Sequence, residues 1–359
     1  MKTNLFKTAF IACVSLALFA GAFSSCKTAD PVLADQTALT AVIDSCQTLA
    51  DAATTTDYKQ ADIDAFKATL ATVKTAAANT AISQTAVDNL VVQLRAAKAT
   101  FLAAAYSAIA PSALTFGLTF DEGTGTQLTT SGSNAWTALL TAGPSQLFGT
   151  NTGLPTFVAG HKGKAMHFTA GSHLEISDYT ASKLLGKDLS IAVWVKTDSV
   201  RANNYIMSYN AWYTWKFQVQ DGGKPFFTAT TTAGTFNSDN QQDNSVPNTT
   251  WTQLVVSMSL TTGTLTFYVN GVSTMVWTTT TEPLLTGTLV PYTGISTTKL
   301  PLVIGAAITY AEANAAWPAS WGWATIPNWG YFTGSMDELK VYNIALTDGQ
   351  VAKLYAGEK

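Results

Sequence analysis

From residue 111 onward, apolar and polar positions alternate with the two-residue period of a β-strand. In residues 113–121 every second side chain is large and apolar: Leu114, Phe116, Leu118 and Phe120. The same alternation recurs in 189–197, 253–260 and 264–272. Because these runs are short and are separated by Gly, Asn and Thr turns, they predict an antiparallel, two-sheet jelly roll over 111–359.

Residues 35–110 show helical spacing instead, and they contain no glycine. Three apolar stripes recur at intervals of three and four, and they comprise Leu39, Ile43, Cys46 and Leu49; Phe66, Leu70, Val73 and Ala77; and Val87, Leu90, Val91, Leu94, Ala97 and Phe101. Breaks at 54–58 and 78–83 contain Asp57 and Ser83 as candidate N-caps. One-sided stripes must pack on one another, so the segment is predicted to be a three-helix bundle that serves as a spacer.

The first 25 residues have the character of a secretion signal. Lys2 and Lys7 lie in a basic start, and the apolar run 8–23 is too short to span a bilayer comfortably. The sequence FSSC, ending at Cys26, resembles the lipobox of bacterial lipoproteins, although Phe23 stands where that motif usually has Leu. We therefore expect a signal peptide at 1–25, lipid attachment at Cys26 and a tether at 26–34. The alternative is an ordinary signal peptidase site with an incidental cysteine.

Composition and charge narrow the choice of partners. Only 12% of the residues are charged and the formal net charge is −3, so there is no electrostatic case for binding nucleic acid. Of the three cysteines, Cys13 lies in the signal, Cys26 is the expected lipid site and Cys46 is alone. No disulfide is therefore expected within the mature chain.

Six motifs, in order and in register, resemble the laminin-G-like branch of the concanavalin A-like lectin/glucanase superfamily. They lie at 118–125, 160–176, 189–197, 251–272, 302–306 and 334–355. The resemblance implies two stacked antiparallel sheets, one concave and one convex, with binding loops along one edge. The helical segment resembles, more weakly, the three-helix FIVAR-type modules of bacterial surface proteins.

The resemblance also implies a calcium site. Strand alternation places Asp337 on the same inward face as Leu339 and Val341, where an isolated carboxylate is costly. In the resembled family the matching aspartate helps to hold a structural Ca²⁺ together with backbone oxygens and residues near the first strand, here around Asp121. Oxygen ligands suit calcium. The alternative is that backbone N–H groups of a turn satisfy the Asp337 carboxylate.

No enzyme is predicted. Glucanases of this fold carry paired carboxylates spaced as E-x-D-x-x-E on one strand, and the chain lacks that pattern. Glu175 and Asp178 are three residues apart, so a strand would direct them to opposite faces, and Asp337 and Glu338 are adjacent and also diverge. The chain has no G-x-S-x-G sequence and no phosphate loop.

Tryptophans are concentrated where loops are predicted. The candidate binding residues are Trp212, Trp215, Trp317, Trp321, Trp323 and Trp329. The C–H face of a sugar ring packs flat against an indole, while amide and carboxylate side chains set its orientation. The alternative is that the stretch 316–332 buries about half of its tryptophans in a small core of its own, because few soluble proteins tolerate so large an apolar patch.

These patterns favour a lipid-anchored protein of a bacterial outer membrane or cell surface. Its jelly roll would bind an oligo- or polysaccharide without cleaving it, in association with other proteins of glycan uptake. Two alternatives remain open: a protein-binding adhesion module of the laminin-G type, and a divergent glycoside hydrolase.

The expected anchor yields the first testable prediction. Replacing the acylated residue by Cys26→Ser should move the protein from the membrane fraction to the soluble fraction, because the lipid is the only anchor expected. Immunoblotting of fractionated cells measures this distribution. An unchanged distribution would contradict lipid attachment at Cys26.

Overall fold

The computed structural model shows a mainly β protein with helices at both ends of the described chain. It describes residues 33–150, 152–199, 201–209, 214–291, 299–316 and 330–359. Within them, the strands form two eight-stranded antiparallel sheets, stacked as a jelly-roll sandwich, and three helices precede the sandwich. The predicted fold class is confirmed.

The first sheet has the strand order β14-β13-β12-β7-β16-β5-β4, and β1 pairs with β16 beside this path. Its strands are β1 (Leu114–Leu118), β4 (Thr156–Ala159), β5 (Lys164–Phe168), β7 (Asp188–Thr197), β12 (Thr252–Ser259), β13 (Thr264–Val269), β14 (Val272–Thr278) and β16 (Gly334–Tyr342). A hairpin turn at Asn270 and Gly271 joins β13 to β14, and both residues have the positive φ, 49° and 78°, that a type I′ turn requires.

The second sheet has the order β11-β10-β9-β8-β15-β6-β3-β2. Its strands are β2 (Gln127–Thr129), β3 (Thr137–Thr141), β6 (His173–Ile176), β8 (Asn204–Tyr209), β9 (Trp215–Gln220), β10 (Lys224–Thr231), β11 (Gly234–Asp239) and β15 (Leu302–Ile304).

Six α-helices lie in the described residues. They are α1 (Thr37–Ala52), α2 (Gln60–Ala77), α3 (Gln84–Ala103), α4 (Ser145–Phe148), α5 (Tyr310–Ala316) and α6 (Asp348–Glu358). Short 3₁₀ helices span Pro111–Ala113 and Ala181–Leu184. None of the helices in these ranges is both long and apolar enough to cross a membrane.

The core lies between the two sheets. Alternate residues of each strand point inward, and the residues that β7 and β9 contribute are Leu189, Ile191, Val193, Val195, Trp215, Phe217 and Val219. All of these side chains are almost completely buried. Burying one large apolar side chain contributes about 1.5–3 kcal/mol, so this layer dominates the stability of the sandwich.

The three N-terminal helices pack around a core of their own, as their stripes predict. Phe66 and Phe101 stack with ring centroids 4.5 Å apart, and Tyr58 stacks on Phe101 at 4.0 Å. Ser83 is confirmed as an N-cap, since its side chain accepts a hydrogen bond from the backbone N–H of Ala86.

The predicted N-cap at Asp57 is wrong, because α2 begins three residues later at Gln60. The Asp57 carboxylate instead accepts a hydrogen bond from the Thr54 hydroxyl at 3.0 Å. It also faces the ammonium of Lys353 on α6 at 3.6 Å.

The bundle is fastened to the sandwich at α6. The Lys353 ammonium donates to the backbone oxygen of Tyr106 at 2.8 Å. The Tyr106 ring lies against Gly349, where an added Cβ would stand 2.0 Å from the ring. Because α6 packs on the outer side of the first sheet, through Val351 and Leu354, this end of the bundle is attached on the side of the sandwich opposite the outer face of the second sheet.

The core position of Trp215 gives a stability prediction. Trp215→Ala should lower the free energy of unfolding by about 3–5 kcal/mol, because it leaves a large cavity between the sheets. The matched control is Val272→Ala, which truncates a side chain that is 66% exposed and should change stability by less than about 0.5 kcal/mol. Urea denaturation measures both variants. A Trp215→Ala protein as stable as its parent would contradict this placement.

Candidate functional site

One row of outward side chains crosses the second sheet. Pairing between neighbouring strands aligns Leu139, Glu175, Val303, Ser208, Lys216, Thr228 and Asn237, in that order from β3 to β11. Their strand neighbours point into the core, so alternation directs this row away from the first sheet. From Ser208 to the edge strand β11, every residue of the row is polar.

A second row runs beside the first over β8 to β11. It contains Tyr205, Gln218, Phe226 and Asp239 in register. We call the two rows over these four strands the polar face, and its members are Tyr205, Ser208, Lys216, Gln218, Phe226, Thr228, Asn237 and Asp239. They supply hydroxyl, amide, carboxylate, ammonium and aromatic groups on four neighbouring strands, each about 4.8 Å from the next.

Lys216 occupies the centre of the polar face and is fully buried. Its ammonium donates to Gln218 Oε1 at 2.5 Å and lies 4.3 Å from the ring centroid of Phe226 and 5.1 Å from that of Tyr205. Burial lowers the pKa of Lys216 well below the ordinary value of a lysine. A polar group placed so deeply on an outward-facing row differs from the solvated side chains that usually cover such a face.

The polar face opens toward β11. Ser208, Lys216 and Thr228 are buried, Phe226 is half-buried and Asn237 is exposed. The Thr228 hydroxyl donates to Asn237 Oδ1 at 2.7 Å, which orients that amide. The open end therefore presents part of an aromatic ring beside fixed hydrogen-bonding groups, an arrangement that can hold a flat, hydroxyl-rich ligand.

The other end of the first row carries negative charge. Glu175 Oε1 lies 3.0 Å from His173 Nε2, while Nδ1 of that ring lies 2.9 Å from the Gly171 carbonyl oxygen. Burial, together with the charge of Glu175, raises the pKa of Glu312 on α5, against the hydrogen bond from the Thr309 hydroxyl. Glu175 and Glu312 are therefore two carboxyl groups in different environments.

The predicted binding tryptophans can be placed only in part. Trp212, Trp317, Trp321, Trp323 and Trp329 lie outside the described residues. Trp215 lies within them, at the start of β9.

Trp215 does not lie at a surface available for stacking. It begins β9 and is fully buried between the sheets, where its Nε1 donates to the Leu184 carbonyl oxygen at 3.0 Å. The residues WKFQVQ alternate, so Trp215 shares the inward face with Phe217 and Val219, and Lys216 and Gln218 point outward. Sequence reasoning chose the tryptophan in this strand and missed its polar neighbours, although the same alternation identifies them.

The two predicted calcium residues contact one turn, residues 160–164 between β4 and β5. Asp337 Oδ2 accepts a hydrogen bond from the Lys162 N–H at 3.0 Å, and Asp337 Oδ1 accepts one from the Glu338 N–H at 2.8 Å. Asp121 Oδ1 accepts from the Lys164 N–H at 2.9 Å. The turn approaches so closely that a Cβ on Gly163 would lie 2.1 Å from Asp121 Oδ1.

The expected inward direction of Asp337 is wrong. Glu338 has a φ of 50°, and the pairing of β16 with β7 shifts register between Asp337 and Lys340. This bulge inserts one residue, so Leu339 points into the core whereas Asp337 points outward and is buried beneath the turn.

The donor groups around these carboxylates fit the hydrogen-bonded alternative. Asp337 is faced by backbone N–H groups on both oxygens, whereas Ca²⁺ requires oxygen ligands. Across the described ranges, no group of three His, Cys, Asp or Glu side chains could hold a metal ion. Calcium binding at Asp121 and Asp337 stays an untested prediction.

The comparisons with known proteins support the jelly roll. A family model described as the concanavalin A-like lectin/glucanases superfamily, Laminin_G_3, matches residues 168–300. The match runs from β6 to β14 and confirms the predicted resemblance over that stretch. No curated protein matches the chain.

Several solved structures are similar to the chain at low identity. Domain 4 of AbnA, a GH43 extracellular arabinanase from Geobacillus stearothermophilus in complex with arabinotriose, is 18% identical, with a TM-score of 0.46, over 67% of this chain and 98% of that chain. The binding domain of Paraclostridial Mosquitocidal Protein 1 is 12% identical, with a TM-score of 0.46, over 69% and 52%. The ligand binding domain of botulinum neurotoxin serotype D, in complex with N-acetylneuraminic acid, is 12% identical, with a TM-score of 0.43, over 69% and 51%.

The surroundings of Asp337 give a pH prediction. Burial raises its pKa from 3.8 to about 6, against the hydrogen bonds from the Lys162 and Glu338 N–H groups. Between these pH values the Asp337 carboxyl group is protonated in the native state and ionised in the unfolded state. The contribution of this proton to stability is therefore present below the unfolded pKa and is lost as the pH rises through 6. In chelator, the free energy of unfolding of the parent minus that of Asp337→Asn should fall by about 2 kcal/mol from pH 4 to 7.

Bound calcium would reverse the sign of this pH dependence. A metal favours the ionised carboxylate, so the same difference would rise with pH in Ca²⁺, and chelator would lower the melting temperature of the parent but not of Asp337→Asn. Denaturant titrations at each pH, with and without chelator, measure both quantities. A rising difference together with a chelator response would contradict the hydrogen-bonded arrangement.

Proposed function

We propose that the polar face binds carbohydrate without cleaving it. The observation that carries the proposal is the half-buried ring of Phe226, set in register between Gln218 and Asp239. A sugar ring has apolar C–H groups on its face and hydroxyl groups around its edge. An aromatic ring bordered by amide and carboxylate groups complements both parts.

The chemistry of the face favours a glycan over a protein partner. The buried cores of protein interfaces are rich in apolar and aromatic side chains and poor in charged ones. The polar face instead places Lys216, Thr228 and Asn237 in one row. The match to a superfamily of lectins and glucanases supports the same choice.

A hydrolytic alternative rests on the carboxyl groups of this sheet. Glu175 on β6 and Asp239 on β11 are five strand intervals apart, roughly 24 Å, which is too far for a glycosidase pair that works across about 5–9.5 Å. Glu175 and Glu312 do interact, and the raised pKa of Glu312 is a property of a general acid. These two residues are where a hydrolase activity would reside.

The helical bundle would present the polar face outward from a membrane. The backbone N–H of Asp35 bonds to Gln84 Oε1 at 2.8 Å, so α1 begins beside the start of α3. The 20 residues of α3 then extend about 30 Å toward the sandwich. A lipid on Cys26, which we propose for a bacterial outer membrane or cell surface, would hold the jelly roll away from the bilayer with the polar face on the far side.

The ring of Phe226 provides the test. Phe226→Ala should weaken binding to a retained polysaccharide about 10-fold or more, about 1.4 kcal/mol, because the stacking surface is lost. The matched control is Trp251→Ala, which removes a half-buried aromatic residue just before β12 in the first sheet and should leave binding unchanged. Affinity electrophoresis against a panel of soluble polysaccharides selects the glycan, and calorimetry measures the affinity.

Three results would overturn the proposal. Absence of retardation across the panel would favour a protein partner. Equal loss of binding in both variants would move the site away from the polar face. Release of reducing sugar that Glu312→Gln abolishes would establish hydrolysis in place of simple binding.

A further inference from the structure

The open end of the polar face carries charged groups beside the ring of Phe226. Asp239 on the edge strand β11 pairs directly with Phe226 on β10, and directly opposed residues have Cβ atoms about 4.5–5.5 Å apart. The Asp239 side chain is 21% exposed, so solvent reaches it. A ligand that stacks on the Phe226 ring therefore meets this carboxylate.

Lys224 supplies a positive charge to the same place. It lies two residues before Phe226, on the same face of β10. Its ammonium is 2.8 Å from Asp243 Oδ1 and 3.4 Å from Asp239 Oδ2. The hydrogen bond with Asp243 raises the pKa of Lys224, so this lysine stays protonated. Two carboxylates thus share one cation. We call Lys224, Asp239 and Asp243 the charged rim, and its net charge is negative.

The surrounding chain adds no accessible cation to the charged rim. Residues 204–250 contain two basic residues, Lys216 and Lys224, and the Lys216 side chain is fully buried. Arg201 precedes β8, two strands from Phe226, and its Nη2 donates to the Tyr331 carbonyl oxygen at 2.9 Å. The stretches 210–213, 292–298 and 317–329 contain no charged residue.

We propose that the charged rim makes the polar face selective for neutral glycans, because Asp239 excludes sugars that carry a carboxylate, such as uronic and sialic acids. The inference rests on the function proposed for the polar face and names the substrate class of that site.

A neutral sugar can use Asp239 as an acceptor. Asp239 Oδ2 accepts a hydrogen bond from Gln220 Nε2 at 2.8 Å, and Asp239 Oδ1 accepts one from the Gln241 N–H at 2.7 Å. A carboxylate offers about four acceptor sites, so Oδ1 keeps one for a sugar hydroxyl. Hydrogen bonds to an ionised acceptor are stronger than neutral ones. The existing bonds also fix the carboxylate beside the ring of Phe226.

A sugar carboxylate at the same position would be repelled. Proteins bind carboxylates through Arg or Lys groups that can pair with them. Lys224 already faces Asp239 and Asp243, so a bound carboxylate would be the third negative group around one cation. Like charges opposed across an interface exclude wrong partners. Because the effect is electrostatic and lies at a partly exposed site, salt should weaken it.

The experiment compares three forms of one polysaccharide. They are the neutral hexose chain that the protein retains, the same chain oxidised at C6 to the uronate, and the methyl ester of that uronate. The parent protein should bind the uronate at least 10-fold more weakly than the neutral chain, and the uncharged ester should recover most of this loss. High salt should reduce the difference between the neutral and uronate chains. Calorimetry measures each affinity.

Variants of the charged rim should change the ratio of neutral to uronate affinity in a fixed order. Lys224→Met removes the cation and should raise the ratio. Asp243→Asn, at a side chain that is 65% exposed, should lower it, and Asp239→Asn should lower it most. Asp243→Asn keeps the test valid if Asp239→Asn folds poorly. The matched control is Asp44→Asn, at an exposed position on α1, which makes the same charge change and should leave the ratio unaltered.

Three results would overturn this inference alone. They are retention of a uronate polysaccharide in place of a neutral one, equal affinity for the neutral and oxidised chains, and a ratio that neither Asp239→Asn nor Asp243→Asn lowers. In each case, loss of binding in Phe226→Ala would still support carbohydrate binding at the polar face. Failure of the parent to retain any polysaccharide would overturn the proposed function and this inference together.

Discussion

The apolar layer between the two sheets is the interaction on which the rest of the structure depends. Each strand gives every second side chain to this layer, and the remaining side chains must point outward. Core packing thus uses only half of the strand positions and leaves two outer faces with separate chemistry. The functional possibilities of the protein follow from how each outer face is occupied.

The first sheet uses its outer face to hold α6 and, through it, the helical bundle. Glu358, near the end of α6, accepts hydrogen bonds from Trp194 Nε1 at 2.8 Å and Gln253 Nε2 at 2.9 Å, and Lys340 pairs with the same carboxylate. Buried ion pairs of this kind add little net stability, but losing one partner is costly, so they fix the position of the helix. The outer face of the second sheet is also covered at β8 and β15, where Tyr205 and Val303 are buried against Ile308 and Tyr331. The part of that face open to a ligand is its β10–β11 end, at Phe226 and Asn237.

Structural features that depend on local periodicity can be predicted from the sequence. Features that depend on how strands pair with one another cannot. Alternation and helical stripes are local, and they correctly predict the sandwich, the bundle and the Ser83 cap. The bulge at Glu338 is a tertiary feature, and it reverses the direction expected for Asp337. The prediction for Trp215 failed for a different reason. The alternation of its strand assigns Trp215 to the core, but the prediction of a binding role was based on its residue type.

The polar face could not be predicted from any single segment, since its residues come from four strands and are aligned only by register. Ser208, Lys216 and Thr228 belong to three different strands, and their residue types alone do not distinguish them from other strand positions that point away from the core. Only strand pairing brings them into one row, and that pairing is fixed by packing between residues that are far apart in the sequence.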